Sequence, residues 1–385
     1  MINPQVSALK GSSTLKLTAL TKKLKAEGKD VVNFTAGEPD FDTPDFIKKA
    51  AKEAIDQGFT KYTPSAGALE LREAIAKKLK EDNNLAYTAN DIIVACGAKY
   101  AIYIAMLTAL GQDSEVILPV PYWVSYPEMI ALCHGKVKLL PTRKEEGFKI
   151  NLKELERAIT PQTRMLVMNY PGNPTGATYT KEELLSIAAL AIKHKFYVLS
   201  DEIYEKLIYD GLKHVSFGSL PDAHKITLTV NGFSKSSAMT GWRLGYLAGP
   251  TEFMAQASKV ADHTTSCASS ISQKAGLAAL TDKSWQETMR KEFEKRRDLL
   301  FKGLSSCGDK LVPFRPQGAF YMFCDITKTG LKSSEFCAQL LEKQLVSCIP
   351  ADSFGAEGYI RISFATSQAD IEKGITRIKK FLSEL

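Results

Sequence analysis

Between residues 45 and 285, short apolar runs alternate with stretches of helical spacing, and this alternation restricts the possible folds more than any other feature of the chain. "DIIVACG" (91–97), "EVILPVP" (115–121), "RMLVMNYP" (164–171), "FYVLSDEIY" (196–204) and "KITLTVNG" (225–232) read as strands. "FIKKAAKEAIDQG" (46–58), "LELREAIAKKLKED" (69–82), "YAIYIAMLTALG" (100–111) and "KEELLSIAALAIKHK" (181–195) have helical spacing. Strands that are apolar nearly throughout, separated by helices, predict a mostly parallel sheet covered on both faces. After about residue 285 the texture changes. A charged helix (285–303) leads into the shorter strands "AFYMFCDI" (319–326) and "GYIRISFA" (358–365) and a terminal helix. The expected organisation is a large domain over 45–285 and a smaller α/β domain over 286–385, with residues 1–44 forming an N-terminal arm and part of the small domain.

Composition narrows the function. The chain has 385 residues, more than one hydrophobic core usually serves. Its net charge of +7 arises from 50 basic and 43 acidic residues spread along the chain, which excludes a concentrated nucleic-acid footprint. No apolar run reaches the ~20 residues that span a bilayer, and the N-terminus lacks the apolar core of a signal peptide. Seven dispersed cysteines without a C-x-x-C pair read as reduced thiols, so a cytoplasmic protein without a disulfide frame or metal site is expected.

In open α/β sheets ligands gather beyond the carboxyl ends of the strands. The residues that follow the predicted strands are Gly97-Ala98-Lys99, Tyr122-Trp123, Asn173-Pro174, Asp201 to Tyr204, and Ser234-Lys235. A lysine becomes nucleophilic when desolvation or a neighbouring cation keeps it partly neutral. Arg243, eight residues past Lys235 in "NGFSKSSAMTGWRLG", is a permanent cation within a Gly-rich turn. Such a set suits an aldehyde condensed on Lys235 with its phosphate held by Arg243, which describes pyridoxal 5'-phosphate. That cofactor needs an acid at its ring nitrogen, and Asp201 is the candidate. Tyr204 and Asn173 can reach the ring hydroxyl, Trp123 can stack on the ring, and the turn at Gly97 can offer backbone amides to phosphate. Singly, each has a plainer reading: Asp201 can cap a helix, Tyr204 and Trp123 can be core, and Arg361 can pair a structural carboxylate.

The chain resembles the fold-type I, class I pyridoxal-phosphate aminotransferases, and within them the bacterial aspartate/prephenate subgroup. The resemblance runs nearly end to end, through "TAGEPDFDTP" (35–44), "KYTPSAGALELREAIA" (61–76), "PYWVSYPEM" (121–129), "NYPGNPTGA" (169–177), "SDEIYE" (200–205), "NGFSKSSAMTGWRLGY" (231–246) and "IRISFATS" (360–367). It implies a seven-stranded, mostly parallel sheet, and cis peptides before Pro121 and Pro174. It implies that Lys235 holds the cofactor and Arg243 its phosphate, that Asp201 pairs the ring nitrogen, and that Gly97, Ala98 and Lys99 lie at the phosphate turn. Tyr62 would reach the phosphate of a neighbouring subunit in a homodimer, while Arg361 and Gly37 would bind the substrate α-carboxylate. Many relatives have a serine where this chain has Gly232, so Ser234 or Ser236 is left to compensate.

The expected reaction moves an amino group between L-aspartate and 2-oxoglutarate, with prephenate as a further acceptor. A second carboxylate needs a second cation, and Lys99 and Lys10 are the candidates. The alternatives are an aminotransferase of aromatic or neutral amino acids, and a β-lyase of the same fold.

Overall fold

The computed structural model describes residues 2–9, 11 and 13–385. Among them, thirteen strands form three sheets. In chain order they are β1 (Val32–Asn33), β2 (Ile92–Ala95), β3 (Glu115–Val120), β4 (Lys136–Pro141), β5 (Thr163–Asn169), β6 (Tyr197–Asp201), β7 (Thr227–Gly232), β8 (Gly245–Ala248), β9 (Val312–Phe314), β10 (Tyr321–Asp325), β11 (Val346–Ser347), β12 (Ile349–Pro350) and β13 (Tyr359–Ser363). The large sheet has the order β2-β8-β7-β6-β5-β3-β4, and β8 alone runs against its neighbours. A four-stranded antiparallel sheet, β12-β13-β10-β9, lies later in the chain, and β1 pairs in parallel with β11.

Both faces of the large sheet are buried, which explains its unbroken apolar runs. Along β3, Val116 and Leu118 join a cluster with Ile102, Ala105 and Met254, from the helices Ala98–Ala109 and Thr251–Asp262. Ile117, between them, joins the opposite cluster with Leu155, Leu184 and Ile187, from the helices Leu152–Ala158 and Lys181–His194. Such two-sided burial is the period-2 geometry of a strand acting on a sequence that is apolar at every position. A separate core around Phe293, Phe320, Phe336 and Phe364 joins the long helix Ser284–Ser305 to the small sheet, and Val32 and Phe34 from the N-terminal segment enter it.

Strand β6 stops at Asp201, short of the predicted 204, so the following residues turn at the sheet edge. Strands β4 and β8 and the helices at 125–132, 152–158, 251–262 and 270–279 are elements the sequence reading did not separate. The peptides before Pro121 and Pro174 are cis as expected, and so is that before Pro171.

The departure at Gly232 has a packing cause. Gly232 lies opposite Gly245 on neighbouring strands, and a Cβ at 232 would sit 2.9 Å from Gly245 Cα and 3.0 Å from the Leu244 carbonyl. A Cβ at Gly245 would in turn strike the backbone of Gly97 and Ala98. Gly232 lets β7 lie close against the start of β8, and Gly245 lets β8 approach the start of the helix Ala98–Ala109, so a serine at 232 has no room without parting the strands. Ser234 instead lines the cavity described below, while Ser236 Oγ turns back to the Gly232 carbonyl at 3.4 Å. We expect Gly232→Ser to cost about 1–3 kcal/mol of unfolding free energy, measured in urea, as overpacking does. A neutral result would show that the glycine pair is not close-packed.

Candidate active site

Beyond the carboxyl ends of β2, β5, β6 and β7 lies a cavity of about 440 Å³. The structure brings Gly37, Ala98, Lys99, Trp123, Asn173, Asp201, Tyr204, Lys235, Arg243 and Arg361 onto its walls, from segments up to 324 residues apart. Tyr62 lies elsewhere and is 89% exposed. Lys10 falls outside the described residues; the helix Ser13–Ala26 delivers Thr18 and Lys22 to the cavity.

Each side chain is held from its own element. Lys235, three residues past β7, donates from Nζ to the Gly37 carbonyl. Burial lowers its pKa to about 8; Arg361 and Arg243 push the same way, and Glu38 and Asp201 oppose them. Asp201 ends β6 with its carboxylate buried. Its Oδ2 accepts from Tyr126 Oη at 2.7 Å and its Oδ1 from the Ile203 amide at 3.2 Å. Burial raises its pKa to about 6 in spite of these donors. Tyr204 Oη shares a 2.8 Å hydrogen bond with Tyr321 Oη. Asn173 Oδ1 accepts one from Arg361 Nη1 at 2.9 Å, and the Asn173 backbone N–H donates to Asn169 Oδ1 at 2.8 Å.

Arg361 is expected, from its alternation with Ile360 and Ile362, to point away from their side. It is buried at 3% exposure against the Tyr321 ring, with Nη2 donating to the Thr35 carbonyl at 3.1 Å. Among the described residues its Nε carries no hydrogen-bond partner. A buried guanidinium with one donor unused and no carboxylate among its partners is built to receive an anion.

Gly97 begins the helix Ala98–Ala109 at φ +85°, and a Cβ there would lie 2.6 Å from Arg243 Nη2. The glycine therefore lets the guanidinium approach the amide-rich helix start, two positive features turned to one place. Arg243 itself adopts φ +53° and donates from Nη1 to the Thr240 carbonyl at 2.9 Å. Lys99 holds its amine 4.9 Å from the centre of the Trp123 ring, and burial, then Arg243, lowers its pKa.

Sequence reasoning missed Tyr126, Tyr321, Asn169, Thr35, Glu38 and Lys22. Tyr126 and Asn169 lie inside quoted motifs, but their partners are far off in sequence. A buried group of Glu202, Glu205 and His214, with ligand atoms within 4.8 Å of one another, lies outside the cavity lining. Its oxygens already accept from protein donors, Glu202 from Ser200, Ser216 and His214, and Glu205 from Lys78 and Asn83.

The fold and the site agree with a family match. The family model for aminotransferase classes I and II covers residues 29–378, and the chain belongs to that family, with its fold-type I architecture. It is 44% identical to the probable aspartate/prephenate aminotransferase of Aquifex aeolicus, over 99% of this chain and 98% of that protein. A solved structure of Thermus thermophilus aspartate aminotransferase with maleate superposes with a TM-score of 0.95 at 43% identity, covering 99% of each chain. The aromatic-amino-acid aminotransferase 2 of Thermococcus litoralis is 43% identical over 92% of both chains. Among the described residues no helix is long and apolar enough to cross a membrane.

The electrostatics give a pH-dependent prediction for the cofactor-free protein. The Asp201 carboxyl titrates at about 6 when folded and at about 3.9 when unfolded, so the native state favours its neutral form. That advantage is full below the unfolded value and is lost as pH rises through 6. Asp201→Asn should therefore stabilise the cofactor-free protein by up to ~3 kcal/mol near pH 8 and leave it unchanged near pH 4, in urea titrations. Equal effects at both pH values would contradict the burial argument.

Proposed function

We propose that this protein is a pyridoxal 5'-phosphate-dependent aminotransferase whose main substrates are L-aspartate and 2-oxoglutarate, with prephenate as a further acceptor. The observation that carries this reading is a partly buried lysine of lowered pKa, Lys235, in one cavity with a buried acid, Asp201, and a buried arginine, Arg361, that has no carboxylate partner among the described residues. The donor set fits the cofactor. Lys235 offers an amine of lowered pKa, Arg243 and the Gly97–Ala98 turn offer a cation and amides for a phosphate, and Asp201 offers a carboxylate to a ring nitrogen. Trp123 would lie on the ring, and Tyr204 and Asn173 at its hydroxyl. In this reading residues 45–285 hold the cofactor, while 286–385, with 1–44, supply Arg361 and close over the substrate. When bound, the cofactor supplies an aldehyde that condenses with amines and a ring that accepts the electron pair of a breaking bond at the α-carbon.

The protein's own groups do the rest. Arg361 fixes the substrate α-carboxylate through its planar fork, and the Gly37 backbone lies beside it. Lys235 Nζ takes the α-proton and returns it, since an amine with a pKa near 8 is balanced between base and acid at working pH. Asp201 would face the ring nitrogen, and a positive charge on that nitrogen would favour its ionised form, offsetting the cost of its burial. A second carboxylate needs a second cation, and Lys99 supplies it, with Lys22 lining the same cavity. The relatives named for aspartate and prephenate support this class of substrate. Exposed Tyr62 would serve the phosphate of a second subunit in a homodimer.

Adding aspartate, glutamate and then alanine to the cofactor-loaded protein should convert the visible absorption with the first two and not with the third. Conversion by alanine or phenylalanine in preference to aspartate would overturn the substrate class. Lys99→Ala should raise the aspartate KM roughly tenfold or more, as loss of a charged hydrogen bond does, with little change for alanine. An unaltered aspartate KM would remove Lys99 from the substrate site.

A further inference from the structure

The cavity has two functional sides that must work together: the arginine that would hold a substrate carboxylate, and the tyrosine that would reach the ring hydroxyl. One side chain touches both. Tyr321 opens β10, and Phe323, two residues on, is the direct strand partner of Arg361, so the three side chains share one face of the small sheet. The Arg361 guanidinium lies 4.2 Å from the centre of the Tyr321 ring, and the Tyr321 hydroxyl meets that of Tyr204 at 2.8 Å. Tyr321 is 1% exposed, and Phe320 packs against its ring at 4.7 Å, so neither contact is free to drift. A Cβ on Gly37, whose carbonyl holds Lys235, would sit 3.8 Å from the same hydroxyl.

We propose that Tyr321 is a positioning residue that joins the two sides: its ring seats Arg361 for the substrate carboxylate, and its hydroxyl orients Tyr204 toward the cofactor. The inference rests on the cofactor reading given above. The physical reason is polarisation along a short chain of groups. A cation over the ring face draws electron density from the phenol, which makes the Tyr321 O–H the better donor of the pair. Tyr321 then donates to Tyr204, and the Tyr204 proton is left to point at the cofactor's ring oxygen. A donor there stabilises the anionic oxygen and lowers the pH at which the bound cofactor loses its proton.

The two contacts of Tyr321 can be separated by substitution, because Tyr321→Phe keeps the ring and removes the hydroxyl, whereas Tyr321→Leu removes both. Wild type, Y321F, Y321L and Y204F would be loaded with pyridoxal phosphate. Two quantities are read: the pH midpoint of the visible absorption, and the affinity for maleate, a non-reacting dicarboxylate, by equilibrium titration. We expect Y204F to move the midpoint upward and Y321F to move it the same way by less, from a few tenths of a unit to about one unit. Maleate affinity should stay within about twofold in Y321F and fall roughly 3- to 30-fold in Y321L, the range of a desolvated cation–π contact. A Y321F midpoint that coincides with wild type overturns the proposal, as does a loss of maleate affinity in Y321F equal to that in Y321L. A midpoint unmoved in Y204F is a different failure: it overturns the placement of the cofactor beside Tyr204, and this coupling with it.

Discussion

The structure depends on keeping opposite charges dry and apart at one edge of a sheet. Asp201 and Arg361 are buried and Lys235 is partly buried, and desolvation disfavours the ordinary ionisation of each. Left to pair directly, they would lose both their reactivity and their openings for ligands. They are instead held by neutral partners: a tyrosine hydroxyl and an amide on Asp201, a carbonyl on Lys235, and an asparagine oxygen, a carbonyl and an aromatic face on Arg361. A site built this way is costly while empty and is relieved by a ligand that carries complementary charge, the usual trade between stability and activity.

The scaffold makes that arrangement stiff. Adjacent parallel strands end at nearly the same level, so Asn169, Asp201 and the residues after Gly232 arrive side by side. The Gly232–Gly245 pair removes the side chains that would hold β7 away from β8 and β8 away from the start of the helix Ala98–Ala109. Arg361 comes from a different sheet with its own core, so the cavity is walled by side chains from both sheets. The helix Ser13–Ala26 contributes a third wall, linked to this region where Thr18 Oγ1 lies 3.1 Å from Thr35 Oγ1.

What could be read from the sequence, and what could not, follows from how far each signal reaches. Strands buried on both faces leave continuous apolar runs, so the central strands and the residues just past them were legible, and with them Lys235, Asp201, Asn173 and Trp123. Arg243 stood out because a cation in a Gly-rich turn is unusual. Strand β8 was hidden because its four residues, "GYLA", follow that turn directly and are too short to show a period. Tyr126 and Tyr321 were missed for another reason. Each looks like an ordinary core aromatic, and its importance lies in hydrogen bonds spanning 75 and 117 residues, to Asp201 and Tyr204. Lys22 is likewise one lysine among several on its helix, and only the packing of that helix turns it toward the cavity.

The central claim is that the amine of Lys235, and no other, is the attachment point for the cofactor. It is tested most directly by incubating the protein with pyridoxal phosphate, reducing with borohydride and mapping the added mass by peptide analysis. The account predicts one phosphopyridoxyl group per chain, on the peptide that contains Lys235, and none in a Lys235→Ala protein. Labelling that spreads over surface lysines, or that persists unchanged in that variant, would contradict it.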